Sequence, residues 1–158
     1  MPTAASAAMV ARRVLTIDTR RPVEFVDITP MLARVVREAG LCTGLAMVQT
    51  RHTTTGLLVN EHEPLLLTDF EAFFARVAEA SGGYAHDDFR RRTVNLTPHE
   101  RTNGHAHCRA ALLRTSECIG VVGGMLDLGR WQRVFLVEFD GCQRRELSVT
   151  LLGDGNQP

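Results

Sequence analysis

Apolar and β-branched residues partly alternate from Val10 to Asp18 and again from Glu24 to Ile28, with Arg20-Arg21-Pro22 between them. The pattern predicts two strands paired across that turn. Thr29 then stands before Pro30, and Met31, Leu32, Val35, Val36 and Ala39 recur at helical spacing as far as Gly40. This predicts a short amphipathic helix with Thr29 as N-cap. Thr43–Gln49 and Thr54–Asn60 are apolar and strand-like around the polar Thr50-Arg51-His52-Thr53. A second helical spacing, through Leu66, Phe70, Phe73, Phe74 and Val77, fills Pro64 to Ala80 and stops at Ser81-Gly82-Gly83. Tyr84 to Gly104 shows neither period, and so long a polar loop inside a compact domain is usually functional or disordered. Beyond it, His105–Leu113 reads as a helix capped by Asn103. The rest reads as strands: Cys118–Val122, Met125–Leu128, Trp131–Phe139 and Glu146–Leu152, with Asp140-Gly141 as the last hairpin turn. Many strands with about three helices, not strictly alternating, make an α+β fold.

Length and composition narrow this further. A chain of 158 residues, 44% hydrophobic and 23% charged, is one domain able to form a core without disulfides or a structural metal. Residues 10–153 are expected to form it, between a loose tail at 1–9 and another at 154–158. Acidic and basic side chains balance at 18 each. The chain therefore lacks the positive field that non-specific nucleic-acid or membrane binding needs, and neither partner is expected. All 18 basic residues are arginine. Schiff-base, P-loop-lysine and Ser/Lys chemistry is thereby excluded, and anions must be held by Arg, backbone N–H or a metal. Cys42, Cys108, Cys118 and Cys142 form no CxxC pair and sit among apolar residues, which suits reduced core thiols in a cytoplasmic protein.

Candidate chemistry rests on the histidines, the side chains suited both to neutral-pH proton transfer and to borderline metals. His52 sits between two apolar strands, His86 in the long loop and His107 near a helix start. Three imidazoles from separate elements with a fourth position open would form a catalytic metal site; the other reading is isolated histidines on surface or core. On a helix, His105 and His107 lie about 200° apart, so only one of them can face a site. His62 and His99 read as solvated. Glu61, Glu63, Asp69, Asp87 and Asp88 are candidate bases or orienting carboxylates. Asn103 reads equally well as a cap. Glu61 is nine residues from His52, about 30 Å along a straight strand at ~3.3 Å per residue. A bulge at Gly56 or a second subunit would have to bring the two together. The Arg90–Arg92 run is either a solvated loop or an anion contact.

Six motifs occur in order: His52-Thr53-Thr54-Thr55-Gly56, Asn60-Glu61, Tyr84-Ala85-His86, Asn103-Gly104-His105-Ala106-His107, Leu128-Gly129-Arg130-Trp131-Gln132 and Glu138-Phe139-Asp140-Gly141. Together they resemble the YjbQ-like family, also called the secondary thiamine-phosphate synthase family, over roughly Leu15 to Gly153. The resemblance implies an α+β domain with a large mixed, mainly antiparallel sheet, assembled as a homotrimer with clefts near subunit contacts. It also implies a divalent-metal site (zinc, magnesium or manganese) at His52, His86 and His107, leaving His105 a bystander. The implied activity joins a pyrimidine pyrophosphate to a thiazole phosphate. The expected substrate is a small, phosphorylated molecule, with Tyr84, Arg51 and Arg130 as candidate substrate contacts and Glu61, Asp69 and Asn103 as candidate catalytic groups. A metal-dependent hydrolase and a non-catalytic metal- or metabolite-binding protein are the alternatives.

Overall fold

The computed structural model describes residues 8–155. In chain order the elements are β1 (Met9–Asp18), β2 (Glu24–Asp27), α1 (Thr29–Ala39), β3 (Leu41–Thr50), β4 (Thr55–Glu61), α2 (Pro64–Val77), a 3-10 turn at Ala85–Asp87, α3 (Gly104–Ala110), β5 (Ser116–Val122), β6 (Met125–Leu126), β7 (Gln132–Glu138) and β8 (Arg144–Gly155). Met9, Asp154 and Gly155, expected in the tails, are strand residues, with Met9 opposite Gly153 and Leu41 opposite Gly155. The rest of the expected tails, 1–7 and 156–158, lies outside the described residues.

The strands form an antiparallel five-stranded sheet, in the order β1-β8-β3-β5-β6, and an antiparallel three-stranded sheet, β2-β7-β4. Two expected pairings fail for one reason. β1 and β2 do not form a pair, because β1 runs beside β8 while β2 runs beside β7. Likewise Asp140-Gly141 closes no hairpin; it carries the chain from one sheet to the other. Local alternation shows that a segment is a strand, but not which strand covers its edge.

α1 packs against β1, β3, β7 and β8. Its Leu32, Val35 and Val36 join Leu15, Ile17, Val48, Leu136, Leu147, Val149 and Leu151 in the larger core. A smaller core, Phe74, Ala106, Ala110, Phe135, Val137 and Phe139, lies where α2 and α3 contribute to it. β7 therefore sends Val134 and Leu136 into one core and Phe135 and Val137 into the other, which is why its apolar run is unbroken rather than alternating.

Helix ends also differ from expectation. Ile28, not Thr29, occupies the N-cap of α1. The Thr29 hydroxyl instead accepts from the Val134 N–H at 2.8 Å, tying the helix to β7. The Glu63 carboxylate caps α2 by accepting from the N–H groups of Leu65 and Leu66, and those bonds hold it below the usual carboxylate range. The cysteines are not core residues: Cys42 is half-buried, Cys108, Cys118 and Cys142 are exposed, and none is in a disulfide. Among the described residues no helix is long and apolar enough to cross a membrane.

Candidate functional site

A polar cleft of about 430 Å³ opens where the β3–β4 loop, the 84–103 segment, the start of α3 and the β7–β8 crossover meet. Thr53, Thr54, His86, Arg92, Asn95, Thr97, Glu100, Asn103, His107, Asp140 and Arg145 line it. Its size is that of a small-molecule site.

The long loop is ordered by its own charges. Arg92, the last of the arginine run, donates Nε to Val94 O, Nη2 to Asn95 O, and Nη1 both to Glu100 at 3.1 Å and to His86 Nε2 at 3.1 Å. Glu100 in turn accepts from the Thr97 N–H and hydroxyl, and these bonds lower its pKa. A guanidinium can only donate, so His86 Nε2 accepts and a neutral His86 carries its proton on Nδ1. Asp87 accepts from the N–H groups of Asn103 and Gly104, both at 3.0 Å, and thereby anchors the start of α3. The expected Asn103 side-chain cap is absent. Its amide instead donates to Asp140 Oδ2 at 3.0 Å, and its Oδ1 is sealed with no partner. Arg101 holds Asp140 from the other side through Oδ1 at 2.6 Å.

The helical phase of α3 separates the two neighbouring histidines. His107 enters the cleft with its ring centroid 4.6 Å from that of His86. His105 lies 6.3 Å from Tyr84, outside it. Burial, with His86 next in effect, pushes the His107 pKa below its ordinary value and so favours the neutral imidazole.

The remaining expected site residues lie elsewhere. His52 does not line the cleft; its Nε2 accepts from the Glu146 N–H at 2.8 Å, where β3 has ended and β8 still needs an acceptor. Burial, then Arg145, lowers its pKa. Glu61 is at the far end of β4, about 20 Å from Thr55 at ~3.3 Å per residue. No bulge shortens that path, since β4 stays in register with β7 through Gly56, which instead leaves room for Leu113. Asp69 borders an apolar groove with Phe70, Phe73 and Leu112. Arg51 pairs with Glu146 at 3.4 Å on the surface, and Arg130 stacks on the exposed Trp131 at 4.6 Å. The Tyr84 hydroxyl donates to Glu79 O at 2.8 Å.

A three-imidazole metal centre does not fit this donor set within one chain. His52 has its Nε2 lone pair engaged, and His86 presents its own to a guanidinium, a cation where a metal would need to sit. Among the described residues no group of three or more His, Cys, Asp or Glu side chains is arranged to hold an ion.

The residue that sequence reasoning missed is Arg145. β8 alternates with Leu147, Val149 and Leu151 inward and buried, and that phase places Arg145 inward too. A charge at a core-facing register was the available signal. Its Nε and Nη2 fork onto the fully buried Glu138 at 2.5 and 2.7 Å, and Nη2 also reaches the Thr54 hydroxyl at 2.9 Å.

Fold and cleft together define a class: a single α+β domain of antiparallel sheets, with a polar cleft at the sheet ends and imidazoles in its wall. Comparison with known proteins makes the class specific. The chain belongs to the family described as UPF0047 protein YjbQ-like, whose profile matches residues 13–154. A UPF0047 protein of Archaeoglobus fulgidus is 38% identical over 138 residues, covering 87% of this chain and 98% of that one. YugU of Bacillus subtilis is 29% identical over 142 residues, covering 89% and 98%. Among solved structures, a YbjQ-like protein of unknown function from Sulfolobus solfataricus superposes with a TM-score of 0.83 at 30% identity, covering 94% of this chain and all of the other. A hypothetical protein from Aeropyrum pernix gives 0.80 at 32% identity, covering 91% and 99%.

Proposed function

We propose that this protein is an enzyme acting on a small polar substrate in the His86–His107 cleft, with His107 as the group that takes up a proton. One observation carries the reading: the His107 ring faces the cleft, makes no hydrogen bond among the described residues, and is biased to the neutral form by burial. A free, neutral imidazole is the acceptor that general-base catalysis needs.

This favours a reaction that removes a proton, such as attack by water, over thiamine-phosphate formation. In the latter the thiazole nitrogen forms a C–N bond as the C–O bond to pyrophosphate breaks, and no proton is abstracted. Synthase activity is thus a secondary reaction of the same cleft. A homotrimer would cover the apolar outer face of the large sheet, where Val10, Leu152 and Leu45 are exposed side by side across three strands.

The test is a panel of phosphate esters and amides assayed beside thiamine-phosphate formation, with wild type and His107→Ala. Hydrolysis should fall about 10²–10⁴-fold in the variant, and the wild-type rate should drop as pH falls through the His107 pKa. Equal hydrolysis by both proteins, or turnover confined to the synthase reaction, would overturn the reading.

A further inference from the structure

Arg145 is built into the protein in a way that the Glu138 pair alone does not explain. Glu138 already accepts from the Phe139 N–H at 3.0 Å, the Asp140 N–H at 2.8 Å and the Thr19 hydroxyl at 3.2 Å. Its two oxygens are supplied with donors before the guanidinium arrives. Arg145 adds two more bonds and spends one on Thr54, yet among the described residues no hydrogen bond uses its Nη1. Nη1 is not sealed away either. Asn103 Oδ1 is the one buried, unpartnered side-chain atom among the described residues, so Nη1 is open, and the opening that Arg145 lines is the histidine cleft.

The other cation in the cleft wall differs. Arg92 has every nitrogen engaged by the loop it orders. Thr54 completes the contrast: its oxygen accepts from Arg145, which leaves the hydroxyl hydrogen for another acceptor, and Thr53 lines the cleft beside it. The guanidinium is held rigidly by its Glu138 fork, and its side chain is only 8% exposed. Such a pre-oriented donor in a partly desolvated site is suited to an oxyanion, with little side-chain entropy left to lose on binding.

We propose that Arg145 Nη1, with the Thr54 hydroxyl, is the receptor for an anionic oxygen group, phosphoryl or carboxylate, of a small-molecule ligand in the cleft. The inference rests on the cleft being the substrate site, as proposed above, and adds the chemical class that the site selects. It assigns to a buried strand arginine the substrate-holding role expected from the sequence for Arg51 and Arg130.

Titration calorimetry of the full chain with inorganic pyrophosphate and with citrate tests it and separates the two oxyanion types. At least one should bind once per chain. Arg145→Lys, which keeps a charge for Glu138 but loses the fork, should weaken that binding at least tenfold, while the surface variant Arg34→Gln binds as wild type. Should Arg145→Lys fail to fold, the wild-type protein still decides: the ¹⁵N guanidinium resonance of Arg145 should shift on titration. Binding by neither probe, unchanged binding by folded Arg145→Lys, or saturation without a shift at Arg145 would each overturn the proposal. His107→Ala should bind the probe as wild type. Loss of hydrolysis with retained binding separates the proton-transfer reading from this one.

Discussion

At the residue scale, single groups do more than their local sequence suggests. Gly104 opens α3 where the backbone runs against Tyr84; an added Cβ would overlap Tyr84 Cβ and lie 2.7 Å from its Cγ. Tyr84 directly precedes the 3-10 turn that holds His86, and α3 carries His107. Gly104→Ala should therefore both destabilise the protein, by about 1–3 kcal/mol as overpacking does, and disturb the spacing of the two imidazoles. Urea unfolding measures the first and the assay panel the second; an unchanged midpoint would show that the helix start shifts freely. His107 and Arg145 illustrate the opposite case, in which a side chain stands out because the fold leaves part of it without a partner.

At the scale of elements, one strand contact is sensitive to protonation. His52 completes the edge of β8 by accepting from the Glu146 N–H, a bond that the protonated ring cannot make through Nε2. His52, His105 and His107 all have pKa values lowered from 6.5, in each case chiefly by burial. Each binds its proton less readily folded than unfolded. Below pH 6.5 the unfolded chain thus holds more protons, and stability falls as pH falls through that window. Thermal unfolding at pH 7.5 and 5.5 should show a lower Tm at 5.5, and His52→Gln, which removes one of the three titrating rings, should narrow the gap. A Tm equal or higher at pH 5.5 would contradict this.

At the scale of the whole molecule, the five-stranded sheet buries one face on the core and leaves Val10 71%, Leu152 48% and Leu45 46% exposed on the other. An exposed apolar patch spanning three strands marks an interaction surface, and the proposed homotrimer would cover it. Light scattering should report a species near three times the chain mass of 17.5 kDa. Leu45→Glu, which sets a charge in the middle of that row, should release monomers with intact secondary structure. A wild-type monomer at micromolar concentration would remove the trimer from the proposal, and with it the route by which Glu61 of one chain could approach the cleft of another.

Most elements were legible in the sequence, because periodicity records which face of a segment is buried. The helices of Leu32-Val35-Val36 and Leu66-Phe70-Phe73 and the opposed faces of His105 and His107 follow from a 3.6-residue repeat, and the stop at Gly40 from the left-handed cap that glycine takes. The family was legible as well, since its motifs hold in order along the chain. Partnership across sequence distance was not. β1 found β8 and β2 found β7 through edges that alternation does not label, and the expected pair of β1 with β2 was lost with them. The site followed the same division. Two of the three expected imidazoles converge, but His52 was diverted to a backbone N–H of β8. Arg145, marked in the sequence only by its core-facing register in β8, became the buried cation of the cleft because tertiary structure set Glu138 and Thr54 around it. Local pattern is set by residues a few positions apart. Which donors are already engaged, and which are left for a ligand, depends on groups 7 and 91 positions from Arg145, and only the folded chain brings them together.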